Sequence, residues 1–160
     1  MAMQGKLASK DRLLKWSVVD NATCVLCRNG ALESHNHLFF DCTFSRAVWK
    51  EILQRIHIHR GPLMWEDEKK WFLLHSKGKT IRESILKLSL DATVYGVWCE
   101  RNMMIFQQKM MEADLLGSKI CNNIRDAMMA WRNINSTQEN KVLFRAWGVP
   151  FPRLSSTVEV

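Results

Sequence analysis

The chain has 160 residues, 47% hydrophobic and 24% charged. That balance excludes a disordered polar chain and suits one compact domain, or a small domain with a helical extension. No apolar run approaches the roughly 18 residues of a membrane helix, and the opening MAMQGKLASKDR lacks the apolar stretch of a secretory signal. The net charge of +7 favours a polyanionic partner held through phosphate contacts, although a lysine-rich solvated surface gives the same total. Residues 1–60 carry 9 Lys/Arg against 5 Asp/Glu, a net of +4, so the excess is mildly concentrated there. Five cysteines are an odd number and fit a reducing compartment, nucleus or cytoplasm, better than secretion.

In chain order, Ser9 is placed to cap a short helix containing Leu13, Leu14 and Trp16, with Asp11 in its first turn. Asn29-Gly30 reads as a turn. Glu33 to Ile56 reads as helical with a break near Cys42-Thr43, and Phe44, Val48, Trp49, Ile52, Leu53 and Ile56 form one apolar face. His57 to Met64, with Gly61-Pro62, reads as a loop. Trp65 to His75 reads as a helix with the acidic start Glu66-Asp67-Glu68, ended by Lys77-Gly78-Lys79. Thr80 to Lys109 is the longest periodic stretch. Its predicted stripe is Ile81, Ile85, Leu88, Ala92, Tyr95, Cys99, Asn102 and Phe106, with Gly96 the weak point. Leu116, Ile120, Ile124, Ala127 and Trp131 predict a further helix. Ser136-Thr137-Gln138-Glu139 resembles a capping box for a last helix through Trp147, ended by Pro150 and Pro152. No strand alternation is present, so the expected architecture is mostly α.

The chemistry concentrates in CVLCRNGALESHNHLFFDC. Cys24, Cys27, His37 and Cys42 are spaced C-x2-C, nine residues, H-x4-C. Three thiolates and an imidazole suit a tetrahedral zinc ion, and four protein ligands leave no open position, which points to a structural site. His35 is a rival for His37. It lies seven residues from Cys42, a harder reach than the five of His37, and even five requires the helix to distort or end before Cys42. Phe39 and Phe40 are expected to pack beneath the site. Cys99 and Cys121 have no partner at ligand spacing and read as small core residues. His57, His59 and His75 form no second ligand set. Trp49, Trp98 and Trp131 fall on apolar stripes and read as core rather than as a base-stacking platform. There is no Gly-rich phosphate loop, no G-x-S-x-G and no Tyr-x-Asp-Asp, so no enzyme and no small-molecule substrate is expected.

HLFFDC after a C-x2-C, with LASKDRLLKW before it and FSRAVW after it, resembles the zinc-binding domain at the C-terminus of plant non-LTR retrotransposon (LINE) reverse transcriptases. The likeness is close over Gly5 to Ile56. Weaker echoes lie at Trp98-Cys99-Glu100-Arg101-Asn102 and at Leu143 to Gly148 (LFRAWG), each either structural or part of an RNA surface. The resemblance implies zinc as cofactor, His37 as the histidine ligand and contact with nucleic acid. The polymerase and endonuclease regions of such proteins are missing, as is the apolar helix that usually precedes the LASKD-like segment, which is expected to leave apolar surface open to self-association.

The expectation is therefore a small zinc-stapled N-terminal module (1–58), a helical, bundle-like extension packing on it (59–150) and a disordered tail (151–160). The expected function is a zinc-binding, non-catalytic fragment that binds RNA or single-stranded DNA through Lys15, Arg28 and Arg46. The rival is a structural or protein-interaction module, or a remnant without function, in which zinc only stabilises the fold.

Overall fold

The computed structural model describes residues 7–152. Among them every regular element is helical: α1 (Lys10–Lys15), a π-helical turn (His37–Asp41), α2 (Thr43–Arg55), α3 (Trp65–His75), α4 (Ile81–Gln107), α5 (Ala113–Met129) and α6 (Gln138–Ala146). The one β pairing among them is an isolated antiparallel bridge, Thr23–Leu32. No helix among these residues is long and apolar enough to cross a membrane.

α2 buries the face its periodicity predicts, Phe44, Val48, Trp49, Ile52 and Leu53, with Ile56 just past its end. That face meets α5, which buries Leu116, Ile120, Cys121, Ile124 and Met128 and also packs on α4. Gly96 marks a close α4–α5 approach, since a Cβ there would lie 2.9 Å from Ile120 Cδ1. One continuous apolar cluster runs from Cys24 through Leu38, Phe39 and Phe40 to Trp147 and Val149. The N-terminal segment and the helices after it thus share a single interior. Burying each of these large side chains contributes roughly 1.5–3 kcal/mol.

The buried face of α4 differs from the predicted stripe. Tyr95 is 70% and Phe106 79% exposed, and Cys99, expected in the core, is half-buried on the same open side. The face that packs inward runs through Leu86, Leu90, Thr93, Val97 and Arg101, flanked by Ile85, Ser89, Val94 and Glu100. A shift of one position rotates a helical face by about 100°. The polar members of the inward face look solvent-facing in a hydropathy pattern, yet three of them have internal partners, while Ser89 Oγ is buried without one among the described residues. Thr93 Oγ1 donates to Ser89 O (2.7 Å), Glu100 Oε2 accepts from Met111 N (2.9 Å) and Arg101 pairs with Glu33.

Helix starts carry a second set of differences. Thr80 and Glu83 form a reciprocal capping box on α4: Thr80 Oγ1 accepts from Glu83 N (3.2 Å), and Glu83 Oε2 from Thr80 N (2.9 Å). α6 begins one residue later than Ser136 predicts, with Thr137 Oγ1 accepting from Asn140 N (3.2 Å) and no reciprocal Glu139 contact. Ser9 holds the cap position of α1, but its hydroxyl donates to Asp11 Oδ1 (2.5 Å) instead of accepting from the backbone. α1 buries none of its residues, and Leu14, Trp16 and Val18 stay exposed at its end.

The expected loop 57–64 is a loop, pinned by Arg60. Its guanidinium pairs with the buried carboxylate of Glu68 (2.6 Å) and lies 4.1 Å over the Trp71 ring. Phe151 packs edge-on against Phe144 (5.2 Å between centroids), so the packed chain extends into the expected tail; residues 153–160 of that tail lie outside the described residues.

Candidate metal centre

Two local structures carry the donors. Cys24 and Cys27 lie in a loop whose base is closed by Cys24 N–H donating to Ala31 O (2.8 Å). The predicted Asn29-Gly30 turn follows. Asn29 Oδ1 accepts from Ala31 N (3.1 Å) and from Cys27 Sγ (2.7 Å), and Gly30 takes a φ of 76° that glycine adopts at no steric cost.

His37 and Cys42 are joined by the π turn. At α-helical pitch, residues five apart point about 140° away from each other. Here Cys42 N–H donates to His37 O (2.7 Å), the i→i+5 bond that widens the turn. Cys42 then leaves the helix in extended conformation (φ −67°, ψ 134°) and becomes the cap position of α2. Both routes that the spacing demanded, distortion and termination, are used. Ser45 Oγ donates to Leu38 O (2.5 Å), a carbonyl that an α-helical Cys42 N–H would have taken.

The result is one cluster. The donor atoms of Cys24, Cys27, His37 and Cys42 lie within 4.8 Å of one another, with Cys24 Sγ 3.9 Å from Cys42 Sγ and Cys27 Sγ 3.4 Å from His37 Nε2. A tetrahedral ion bound to sulfur at about 2.3 Å sets its sulfurs about 3.8 Å apart, so the donor set fits such an ion. Cys24 and Cys42 are buried while Cys27 and His37 are half-buried, and Leu26, Leu38, Phe39 and Phe40 pack in the same cluster. The two buried thiols lie against each other. The hydrogen bond from Cys24 holds Cys42 below the ordinary thiol range, and the same bond, with burial added, pushes Cys24 up. A cation binds the thiolates, so its binding would release the thiol protons.

His35 lies outside the cluster. Its ring sits edge-on to Phe39 (4.9 Å) and Trp65 (5.3 Å), and both ring nitrogens are buried without a hydrogen-bond partner among the described residues. Burial first, and the Arg12 charge second, lower its pKa, so it serves as a neutral aromatic spacer. Phe40 stacks on Trp65 (5.0 Å) and meets Trp49 edge-on (5.9 Å). Asp41 Oδ1 accepts from Trp65 N (3.1 Å), which fixes α3 to the ligand turn. His57 and His59 are 6.4 Å apart and belong to no donor cluster among the described residues.

The support that Glu33 gives this site was not foreseeable from the sequence. Its side chain is wholly buried and accepts from Arg101 Nη2 (2.8 Å) and Nε (3.1 Å) and from Lys10 N (2.9 Å). Arg101 also lies 4.9 Å over the Trp98 ring, so the Trp98–Asn102 segment plays a structural part, tying α4 to the strand-like segment between the two ligand turns. A buried charge needs an opposite partner, but nothing local in the sequence says that Glu33 is buried or that its partner stands 68 residues away.

Of the three cations expected to contact nucleic acid, Lys15 and Arg28 are exposed. Arg46 is half-buried, and its guanidinium donates to Pro62 O (2.8 Å), Leu63 O (3.3 Å) and Phe40 O (3.5 Å), pinning the loop to the ligand turn.

No curated protein and no solved structure matches the chain. Residues 1–49, which hold all four donors, match the family model described as zinc-binding in reverse transcriptase, the family to which HLFFDC and its ligand spacing point.

Proposed function

We propose that Cys24, Cys27, His37 and Cys42 hold one zinc ion as a structural centre. In this reading the chain is a zinc-binding, non-catalytic part of a plant LINE-type retrotransposon reverse transcriptase protein that binds RNA or single-stranded DNA. The observation that carries it is the convergence of four donors within 4.8 Å inside the family match. Three sulfurs and an imidazole select zinc over the hard cations. Four protein ligands leave no position for a reacting water, so zinc supplies a cross-link between the two turns. The local turns orient the ligands: the Asn29-Gly30 bend follows Cys27, and the π turn aligns His37 with Cys42. The net charge of +7 supports a polyanionic partner. The five free cysteines fit the nucleus or cytoplasm.

The test is zinc content per chain purified under reducing conditions, with helicity followed during chelation. One equivalent, with helicity lost on removal, is expected, and Cys24→Ser or Cys42→Ser should abolish both, because binding free energy at such sites is folding free energy. Intact helicity without zinc refutes the structural centre. Titration with single-stranded RNA over a range of salt then tests the partner; affinity should fall steeply as salt rises. The open apolar residues Trp16, Val18, Tyr95 and Phe106 favour the rival protein-interaction module, whose mark is salt-insensitive self-association.

A further inference from the structure

We propose that the cavity between α2, α5 and the end of α6 is a phosphate-binding site, distinct from the metal centre and from Lys15 and Arg28. The cavity has a volume of about 470 Å³, and each of the three elements brings one arginine to it: Arg55 from α2, Arg125 from α5 and Arg145 from α6. Ser118, Asn122 and Arg125, spaced by four and three residues, lie on one side of α5 and share the lining.

Two observations point to an anion. First, none of the three guanidiniums forms an ion pair with a carboxylate among the described residues, where the pairs are Arg60–Glu68, Lys69–Glu66, Lys70–Asp67 and Arg101–Glu33. Glu51 lies alongside, accepting from Ser118 Oγ (3.4 Å), but it does not line this cavity. Second, the arrangement exceeds what the helices need. Arg55 and Arg145 stand in the last turns of α2 and α6, where a cation complements the helix dipole. Arg125 has no such reason, and the dipoles do not require all three to meet. Gly148, which also lines the cavity, has a φ of +63°, and that backbone conformation accounts for glycine there.

A second cavity, of about 460 Å³, shares Arg145 and Gly148 with the first and is also lined by Lys141, Phe144, Val149 and Phe151. A further cation beside aromatic side chains suits a phosphate that carries an organic group. Guanidinium forks bind phosphate through paired hydrogen bonds. The LFRAWG segment, which supplies Arg145 and Gly148, thereby gains a role beyond ending the fold.

The phosphate can come from a polynucleotide backbone or from a free phosphate compound, and one experiment separates them. Zinc-loaded full-length protein, labelled to report arginine Nε–H signals by NMR, is titrated with pyrophosphate and with an oligouridylate of about 15 nucleotides. Expected are saturable shifts of the Arg55, Arg125 and Arg145 signals. An Arg55→Gln/Arg125→Gln/Arg145→Gln variant with unchanged zinc content and helicity should lose about tenfold or more in affinity. Its salt slope for the oligonucleotide should fall by about 2, at about 0.7 per phosphate on a single strand. Shifts with the oligonucleotide assign the site to nucleic acid. Shifts with pyrophosphate alone uphold the phosphate site while removing the proposed nucleic-acid partner. Oligonucleotide binding that leaves these signals unmoved and the triple variant unaffected overturns the site while sparing that partner. No response to either probe overturns both.

Discussion

Arg101→Met isolates what the Glu33–Arg101 pair does for the fold. In the native protein the Glu33 carboxylate is wholly buried and takes three charge-relevant hydrogen bonds, two from Arg101 and one from Lys10 N. Methionine keeps most of the volume of the arginine stem and removes the charge, leaving Glu33 with the Lys10 donor alone. Breaking a buried pair from one side costs about 3–5 kcal/mol. Lys10 N still donates to the carboxylate, so the loss should lie at the lower end of that range, about 3–4 kcal/mol. With a urea slope near 2 kcal/mol per molar, the unfolding midpoint should fall by about 1.5–2 M. Adding Glu33→Gln should restore part of the stability, since the stranded charge is then gone. A loss under about 1 kcal/mol, the size typical of an exposed pair, would refute the reasoning.

His35→Phe should retain one zinc per chain and should change the acid side of the stability profile. Burial lowers the folded-state pKa of His35 below 6.5, so the unfolded chain takes up this proton first as pH falls, and stability is lost on that side. The urea midpoint of the variant relative to wild type should therefore rise between about pH 7.5 and about pH 5.5; parallel profiles would remove the argument. At Gly96, alanine should be close to neutral, because a helix-propensity gain of up to about 1 kcal/mol offsets displacement of the Ile120 tip 2.9 Å away. Leucine there should cost about 1–3 kcal/mol by forcing α4 and α5 apart, read from thermal denaturation. Thr80→Ala should cost about 1 kcal/mol through loss of the capping box, whereas Ser136→Ala should leave the midpoint unchanged, since Thr137 is the cap of α6.

Local signals in the sequence were reliable where the physics is local. The C-x2-C turn, the Asn29-Gly30 bend, the apolar face of α2 and the loop around Gly61-Pro62 are each decided by neighbours within a few residues, and the structure has them. The four metal donors were legible because ligand chemistry restricts residue type and spacing together. What escaped depends on distant partners. The inward face of α4 is polar at Ser89, Thr93, Glu100 and Arg101, and hydropathy alone assigns such residues to solvent. Arg55, Arg125 and Arg145 stand 70 and 20 residues apart in sequence, and only the packing of α2, α5 and α6 brings them to one cavity. The T-x-x-E of Thr80 and Glu83 was a readable capping box, and the slip at Ser136 came from taking the first of two adjacent hydroxyls.

The π turn makes the interval between His37 and Cys42 a phase setting. α2 begins directly after Cys42, so the angular position of its apolar face relative to the metal donors is fixed by how many residues the turn contains. Removing one residue between the two ligands would return the segment to ordinary helical pitch and rotate α2 by about 100°. The donors and the Val48, Trp49 and Ile52 face could then no longer both reach their partners. The H-x4-C interval is in that sense indexed to the interior and not only to the ion, and a length change there would be felt first at the α2–α5 contact, well away from any ligand.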